Sequence, residues 1–313
     1  MILSPELVLT AIFLWLLVAA LLSPLEALGW WAGWFRTTEA THVPETPRPA
    51  ETPVTDKRCF VAYLTGIAGV AGDIHMPREQ RFLAALTREL PDCVIVDDIF
   101  PYSVTNRALT GQRVFAWFWR YVFLRKTQGS PVGFLINMRN LFQVLVSADN
   151  RYGPIYNHGA AWLIYDALCA HGYSPDSGIP LVLIGYSGGG QICLGAAPYL
   201  KDLTGASITI ISLGGVLCAD PGLQDVDHLY HIEGTRDWVQ RIGAIVFPGR
   251  WPFLRNSYWN MARTQDKITI VHIEGAKHTG SGGYLDDDSL TPDGRSFLQT
   301  TLEVIVSLIN TVR

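Results

Sequence analysis

A serine stands at the centre of the glycine-rich stretch Gly-Tyr-Ser-Gly-Gly at residues 185–189. The apolar residues 181–185 predict a buried strand, and a helix is predicted from about Gln191. A turn between a strand and a helix can expose a serine hydroxyl at a sheet edge, and glycine neighbours relieve the steric strain of that turn. The spacing does not fit a phosphate-binding loop, because no Gly-Lys-Ser/Thr follows. We therefore predict that Ser187 is a nucleophile.

A serine nucleophile needs a base that can accept its proton. His278 follows the predicted strand 268–273 in a loop of small residues. The carboxyl ends of parallel strands meet at one sheet edge, so His278 is expected beside Ser187. His231 and His272 lie inside predicted strands and are interpreted as core or sheet-face residues. His278 is therefore the predicted base.

The base in turn needs an acid that orients its imidazole ring. Asp237 follows the predicted strand 228–232 and is the preferred candidate. Asp220 follows the preceding predicted strand, 207–213, and is the alternative. Asp225 and Asp227 are interpreted as solvated loop residues.

An acyl-transfer site also needs two backbone N–H groups that point at the developing oxyanion. We expect one from Gly188, directly after the nucleophile, and the other from Ile67 in the loop after the first predicted strand of the domain. The alternative for Ile67 is an ordinary glycine-rich turn between a strand and a helix.

Residues 59–313 resemble the α/β-hydrolase superfamily. The resemblance rests on the chain order Ser187, Asp237, His278, on the GYSGG turn and on the Gly66-Ile67 loop. The resemblance implies hydrolysis of an ester, thioester or amide through an acyl-enzyme, with no cofactor and no metal. The connection 214–227 is too short for the cap that many members carry there. Two alternatives stay open: acyl transfer to an acceptor other than water, and a catalytically inactive binding module.

The elements that must position these residues alternate between strand and helix, which predicts an α/β fold with a mostly parallel, doubly wound sheet. The predicted strands are 59–64, 93–100, 181–185, 207–213, 228–232 and 268–273, and the predicted helices are 77–90, 159–170, one from about 191, and 296–312.

An insertion at about residues 104–150 interrupts this alternation before the nucleophile. Its stretch 114–124 is aromatic almost all round. We predict a lid or a helix resting on a membrane beside Ser187, and the alternative is a helix buried in the domain. A second covering segment is expected at 247–261.

The first residues predict a membrane anchor. Residues 7–25 carry no charge, and about 19 residues of helix span the hydrocarbon layer. Aromatic residues at 30–35 and then Arg36 resemble an interfacial belt. The domains expected are an anchor at 1–36, a linker rich in Pro and Thr at 37–57, and a hydrolase domain at 58–313. A cleaved signal peptide is the competing interpretation, but no Lys or Arg precedes the apolar run.

Composition limits the classes of partner. Charged residues make 17% of the 313 residues and the net charge is −4, which argues against a nucleic-acid binder. The apolar anchor and insertion favour membrane lipid and a lipophilic acyl ester as partners. Arg36 and Arg48 follow the anchor and place the domain on the cytoplasmic side. The five cysteines are expected to be buried free thiols.

Overall fold

A computed structural model describes residues 53–72, 74–103, 116–127, 133–175 and 177–312, and six helical residues at 10, 11, 13–15 and 18. Side chains in 116–127 are described for 119–125 only. Most of the predicted anchor and linker therefore lies outside the described residues. Within the part of the chain that is described, no helix combines the length and the apolar character needed to cross a membrane.

A parallel sheet forms the centre of the domain and confirms the predicted α/β class. The six strands of the described residues run in the order β2-β1-β3-β4-β5-β6, and every neighbouring pair is parallel. Strand order reverses beside β1, so a crevice is expected between the carboxyl ends of β1 and β3. The strands are β1 Cys59–Leu64, β2 Cys93–Val96, β3 Leu181–Tyr186, β4 Ile208–Leu213, β5 His228–Gly234 and β6 Ile268–Ile273.

Helices cover both faces of the sheet. One face packs against α1 and α8, and the other packs against α4, α5 and α7, whereas α3 packs on α4 and α5, and α2 packs on α3. The helices are α1 Pro77–Glu89, α2 Ala116–Thr127, α3 Phe134–Ala148, α4 Gly153–Ala170, α5 Gly188–Thr204, α6 Trp238–Val246, α7 Tyr258–Thr264 and α8 Phe297–Ile309. Short 3-10 turns lie at Pro221–Gln224 and Pro248–Arg250.

The insertion contributes to the core of the domain. Helix α3 packs against α4 and α5, and its Ile136 and Val144 are buried in the core. Helix α2 has two kinds of surface, because Trp119 and Val122 are buried whereas Tyr121 and Leu124 are exposed. The lid prediction and its buried-helix alternative concern the stretch 114–124, whose described side chains lie in α2 and are partly buried and partly exposed, so both stay predictions.

Two of the five cysteines form a disulfide, which corrects the expectation of five free thiols. Cys59 and Cys93 lie directly opposite each other on the neighbouring strands β1 and β2 and are bonded. The remaining Cys169, Cys193 and Cys218 are buried free thiols, as predicted. Strand register determined this pairing, and a single sequence carries no direct signal for register.

Candidate functional site

Ser187 occupies the sharp turn between β3 and α5. Its backbone has φ 52° and ψ −120°, a positive-φ conformation that is strained for a residue with a Cβ atom. The Ser187 N–H donates to Leu213 O at 2.9 Å, which fixes the turn to β4. A Cβ atom on Gly185 would lie 2.4 Å from Gly190 Cα, so the chain can close this turn only with glycine there. The GYSGG pattern is thus explained by the local backbone geometry.

The three predicted side chains meet in one chain of hydrogen bonds. Ser187 Oγ lies 2.8 Å from His278 Nε2, and His278 Nδ1 lies 2.8 Å from Asp237 Oδ2. Asp237 is fully buried, and the side chains of Ser187 and His278 keep only slight exposure. The structure therefore brings the predicted nucleophile, base and acid into direct contact.

Asp237 is held by groups besides the imidazole. Its Oδ1 accepts from the backbone N–H groups of Val239 and Gln240, so Asp237 is also the N-cap of α6. Its Oδ2 accepts from the Tyr284 hydroxyl at 2.8 Å. Burial by itself raises the pKa of Asp237, but the bonds from His278 and Tyr284 outweigh it and hold that pKa below its usual value. The carboxylate is therefore charged at neutral pH.

His278 is oriented by Tyr186, the residue before the serine. The two rings are stacked with centroids 5.8 Å apart, and the Tyr186 hydroxyl donates to His278 O at 2.7 Å. Ring and backbone of His278 are thus both fixed from the strand that carries Ser187.

Asp220, the alternative acid, is bound elsewhere. It is buried and accepts from Gln191 Nε2 at 2.8 Å and from the Gly222 N–H at 2.9 Å. Burial raises the pKa of Asp220, and those bonds offset the effect only in part. Its described partners orient the 3-10 turn Pro221–Gln224 and not His278. Geometry therefore favours Asp237 over Asp220.

The loop after β1 lies against the serine turn, as expected for the second oxyanion donor. A Cβ atom on Gly66 would come within 3.3 Å of Ser187 Cβ. A Cβ atom on Gly188 would come within 2.8 Å of Ile67 Cγ2. The loop itself closes through a bond from the Gly69 N–H to Gly66 O at 3.0 Å. Ile67 and Gly188 are therefore neighbours beside Ser187.

The insertion braces this loop, which the sequence did not reveal. Asn140 on α3 is fully buried, and its Nδ2 donates to Ile67 O and to Gly69 O, each at 2.9 Å. Arg139 donates to Asn140 Oδ1 at 3.0 Å, which fixes the amide orientation. An asparagine inside a long insertion gives no pattern that predicts this contact.

Buried polar groups anchor the first residue of the loop as well. Glu79 on α1 accepts from the Thr65 hydroxyl at 2.6 Å and from the Tyr63 hydroxyl at 2.7 Å. The Tyr102 hydroxyl donates to Thr65 O at 2.9 Å. The loop is thus held by hydrogen bonds from α1, α3 and the segment after β2.

A cavity of about 410 Å³ opens beside the loop and the histidine. That volume is within the range of small-molecule sites. Arg78 in its wall pairs with the buried Asp286 at 2.8 Å, and the wall also holds Glu79 and Arg81. Much of the wall is apolar or small, and the lining includes Thr65, Gly66, Ala68, Met76, Pro77, Tyr186, Gly283 and Leu285.

Neither a protein-family model nor a curated protein matches the sequence. The reaction that these residues can perform therefore follows from the geometry of the site alone. The His278 ring can accept the Ser187 proton while Asp237 balances the resulting positive charge. Within the described residues, no cluster of three or more His, Cys, Asp or Glu side chains is suited to hold a metal ion.

Proposed function

We propose that this chain is a membrane-anchored serine hydrolase of the α/β-hydrolase superfamily that cleaves a lipophilic acyl ester. The observation that carries the proposal is the bonded series Ser187–His278–Asp237, with 2.8 Å at each step and the serine on a strained turn between strand and helix. Strain of this kind persists only where the surrounding structure enforces it, and it is concentrated at functional sites.

In the proposed reaction, Ser187 Oγ attacks the acyl carbonyl carbon as His278 Nε2 takes the hydroxyl proton. The N–H groups of Ile67 and Gly188 stabilise the oxyanion of the tetrahedral intermediate. His278 returns the proton to the leaving alcohol, and an acyl-enzyme remains. A water molecule, deprotonated by His278, then releases the acid and restores Ser187.

The lipophilic substrate is supported by the surroundings of the site. The cavity beside the loop after β1 has a wall that includes Met76, Tyr186 and Leu285, and two of its charged groups, Arg78 and Asp286, pair with each other. The uncharged run at residues 7–25 supports the anchor, and the described residues Phe13, Leu14 and Trp15 within it are exposed. An enzyme held at a membrane meets lipophilic esters at high local concentration.

The Cys59–Cys93 disulfide bears on the side of the membrane. Disulfides persist in oxidising compartments and are rare where thiols are kept reduced. The bond therefore argues against the cytoplasmic placement predicted from Arg36 and Arg48. We favour a domain on the oxidising side of the membrane.

One experiment tests both parts of the proposal. Membranes carrying the full chain are washed with alkaline carbonate and treated with a fluorophosphonate probe, and the pellet and supernatant are compared. We expect a labelled band in the pellet, and hydrolysis of a p-nitrophenyl ester series that favours longer acyl chains. A folded but unlabelled protein would contradict the hydrolase, whereas a labelled supernatant would contradict the anchor alone.

Asn140→Ala tests whether the insertion positions the oxyanion loop. Loss of two hydrogen bonds to Ile67 O and Gly69 O should loosen the loop and lower kcat by about 10- to 100-fold. Removal of buried hydrogen bonds should also lower stability by about 1–3 kcal/mol. Steady-state kinetics and thermal melts measure the two effects separately.

Ser147→Ala is the matched control for Asn140→Ala. Ser147 is buried on the same helix, and its hydroxyl donates to Asn157 Oδ1 at 2.7 Å, with no described bond to the loop. We expect a comparable stability loss with kcat within about twofold of wild type. Equal losses of kcat in both variants would mean that Asn140 acts only through general stability.

A further inference from the structure

Residues 238–265 have an unusual charge pattern. The 28 positions contain no Asp or Glu and four arginines, although the whole chain has a net charge of −4. The same segment holds Trp238, Trp251 and Trp259. A stretch with arginines, aromatic residues and no acids is typical of surfaces that meet lipid headgroups. We call residues 238–265 the acid-free segment.

The acid-free segment folds into α6, the 3-10 turn Pro248–Arg250, an irregular stretch and α7. It exposes large apolar side chains that a core would normally cover, with Phe253 72% and Trp238 69% exposed. Two of these side chains are neighbours, since the ring centroids of Trp251 and Phe253 lie 5.5 Å apart, and large exposed apolar patches mark interaction sites. The exposed apolar residues are Trp238, Ile245, Val246, Trp251, Phe253, Leu254 and Tyr258.

Internal contacts hold these side chains outward. Trp259 is buried, and the Arg250 guanidinium lies 3.8 Å from the centre of its ring. Asn260 Nδ2 donates to Trp251 O and to Leu254 O, at 2.8 and 2.9 Å, and so shapes the irregular stretch. The fold of the segment therefore keeps these apolar side chains at the surface.

The surface also has a place for an anionic group. A shallow depression of about 510 Å³ is lined by Arg255 and Arg263 together with Pro252, Asn260 and Thr264. Arg255 and Arg263 are exposed. The two guanidinium groups at this depression match the charge and hydrogen-bonding capacity of a phosphate group, whereas the Asn260 Nδ2 group is already used to hold Trp251 O and Leu254 O.

We propose that the acid-free segment docks the domain onto an anionic lipid surface, with Phe253 and its apolar neighbours in the headgroup layer and Arg255 and Arg263 on lipid phosphates. The segment starts at Trp238, directly after Asp237, so it is continuous in sequence with the acid of the Ser187 site. A lipid surface fits better than a protein partner because the exposed residues mix aromatic, aliphatic and arginine side chains without any acid. This inference extends the proposed anchoring and does not depend on catalysis.

The test uses the full chain with a fluorophore at one introduced cysteine. Phe253→Cys is labelled with the polarity-sensitive dye NBD, since Cys169, Cys193 and Cys218 are buried and the other two cysteines are bonded. Ser307→Cys is the control, because Ser307 is exposed on α8, which packs on the opposite sheet face from α7. Both proteins are reconstituted into phosphatidylcholine vesicles with and without phosphatidylglycerol.

We expect the emission maximum of the label at 253 to shift to shorter wavelength and its fluorescence to be quenched by lipid-borne nitroxides. Both effects should be stronger with phosphatidylglycerol in the vesicles and weaker at high salt. The label at 307 should stay in a polar environment. The double variant Arg255→Gln/Arg263→Gln should lower the equilibrium constant for docking by about fivefold for each charge removed. Matching behaviour of labels 253 and 307 would overturn the proposal. Fluorophosphonate labelling of the same samples reports catalysis separately.

Discussion

Replacement of Ser187 by alanine should lower kcat by about 10³- to 10⁶-fold and abolish covalent labelling by a fluorophosphonate. The change removes the only atom of this side chain that bonds His278 Nε2, at 2.8 Å. Folding should be nearly unaffected, because alanine keeps the Cβ atom and the backbone N–H that binds Leu213 O. Activity on a soluble ester and intact-protein mass after labelling measure both effects.

Ser212→Ala provides a matched control for Ser187→Ala. Ser212 is also a buried serine with its hydroxyl near a histidine, 3.1 Å from His231 Nδ1. Burial lowers the pKa of His231 to about 3, so that ring is neutral. We expect Ser212→Ala to keep probe labelling. Labelling that persists in Ser187→Ala would contradict the assigned nucleophile.

Asp237→Asn should reduce kcat by about 10⁴-fold, because an amide in place of the carboxylate no longer stabilises the imidazolium and favours the wrong ring tautomer. Asparagine is a good N-cap, so α6 should remain intact. Circular dichroism and thermal melts check the fold, and kcat on a soluble ester reports the catalytic loss.

Asp220→Asn gives the comparison that separates an orienting acid from a structural one. The change disturbs the bond from Gln191 Nε2 and should lower thermal stability, with kcat within about tenfold of wild type. A larger loss of kcat in Asp220→Asn than in Asp237→Asn would reassign the acid. Asp237 accepts a hydrogen bond from the Tyr284 hydroxyl, whereas no tyrosine hydroxyl bonds Asp220 among the described contacts.

Local sequence patterns predicted the framework and the three converging side chains. Continuous apolar runs predicted every strand of the described sheet, with ends that differ by a few residues, as for β2, which ends at Val96. The order of the residues after β3, β5 and β6 predicted the meeting of Ser187, Asp237 and His278. These predictions succeed because burial on both faces and parallel topology act through short stretches of chain.

Long-range partners could not be predicted in the same way. Asn140 is separated by about 70 residues from the loop it braces, and Tyr284 reaches back to Asp237 across 47 positions. Tertiary packing decides such features, and apolar periodicity does not encode them.

The order of the strands also divides the site into parts of unequal local stability. Ser187 follows β3, which is paired on both sides by β1 and β4, whereas His278 follows β6, whose one described neighbour is β5. An edge strand can open without the rest of the sheet, at a cost below that of global unfolding. Separation of His278 from Ser187 therefore requires only this partial opening. On heating, the capacity for catalysis should disappear while most backbone amides of β1, β3 and β4 are still protected from exchange.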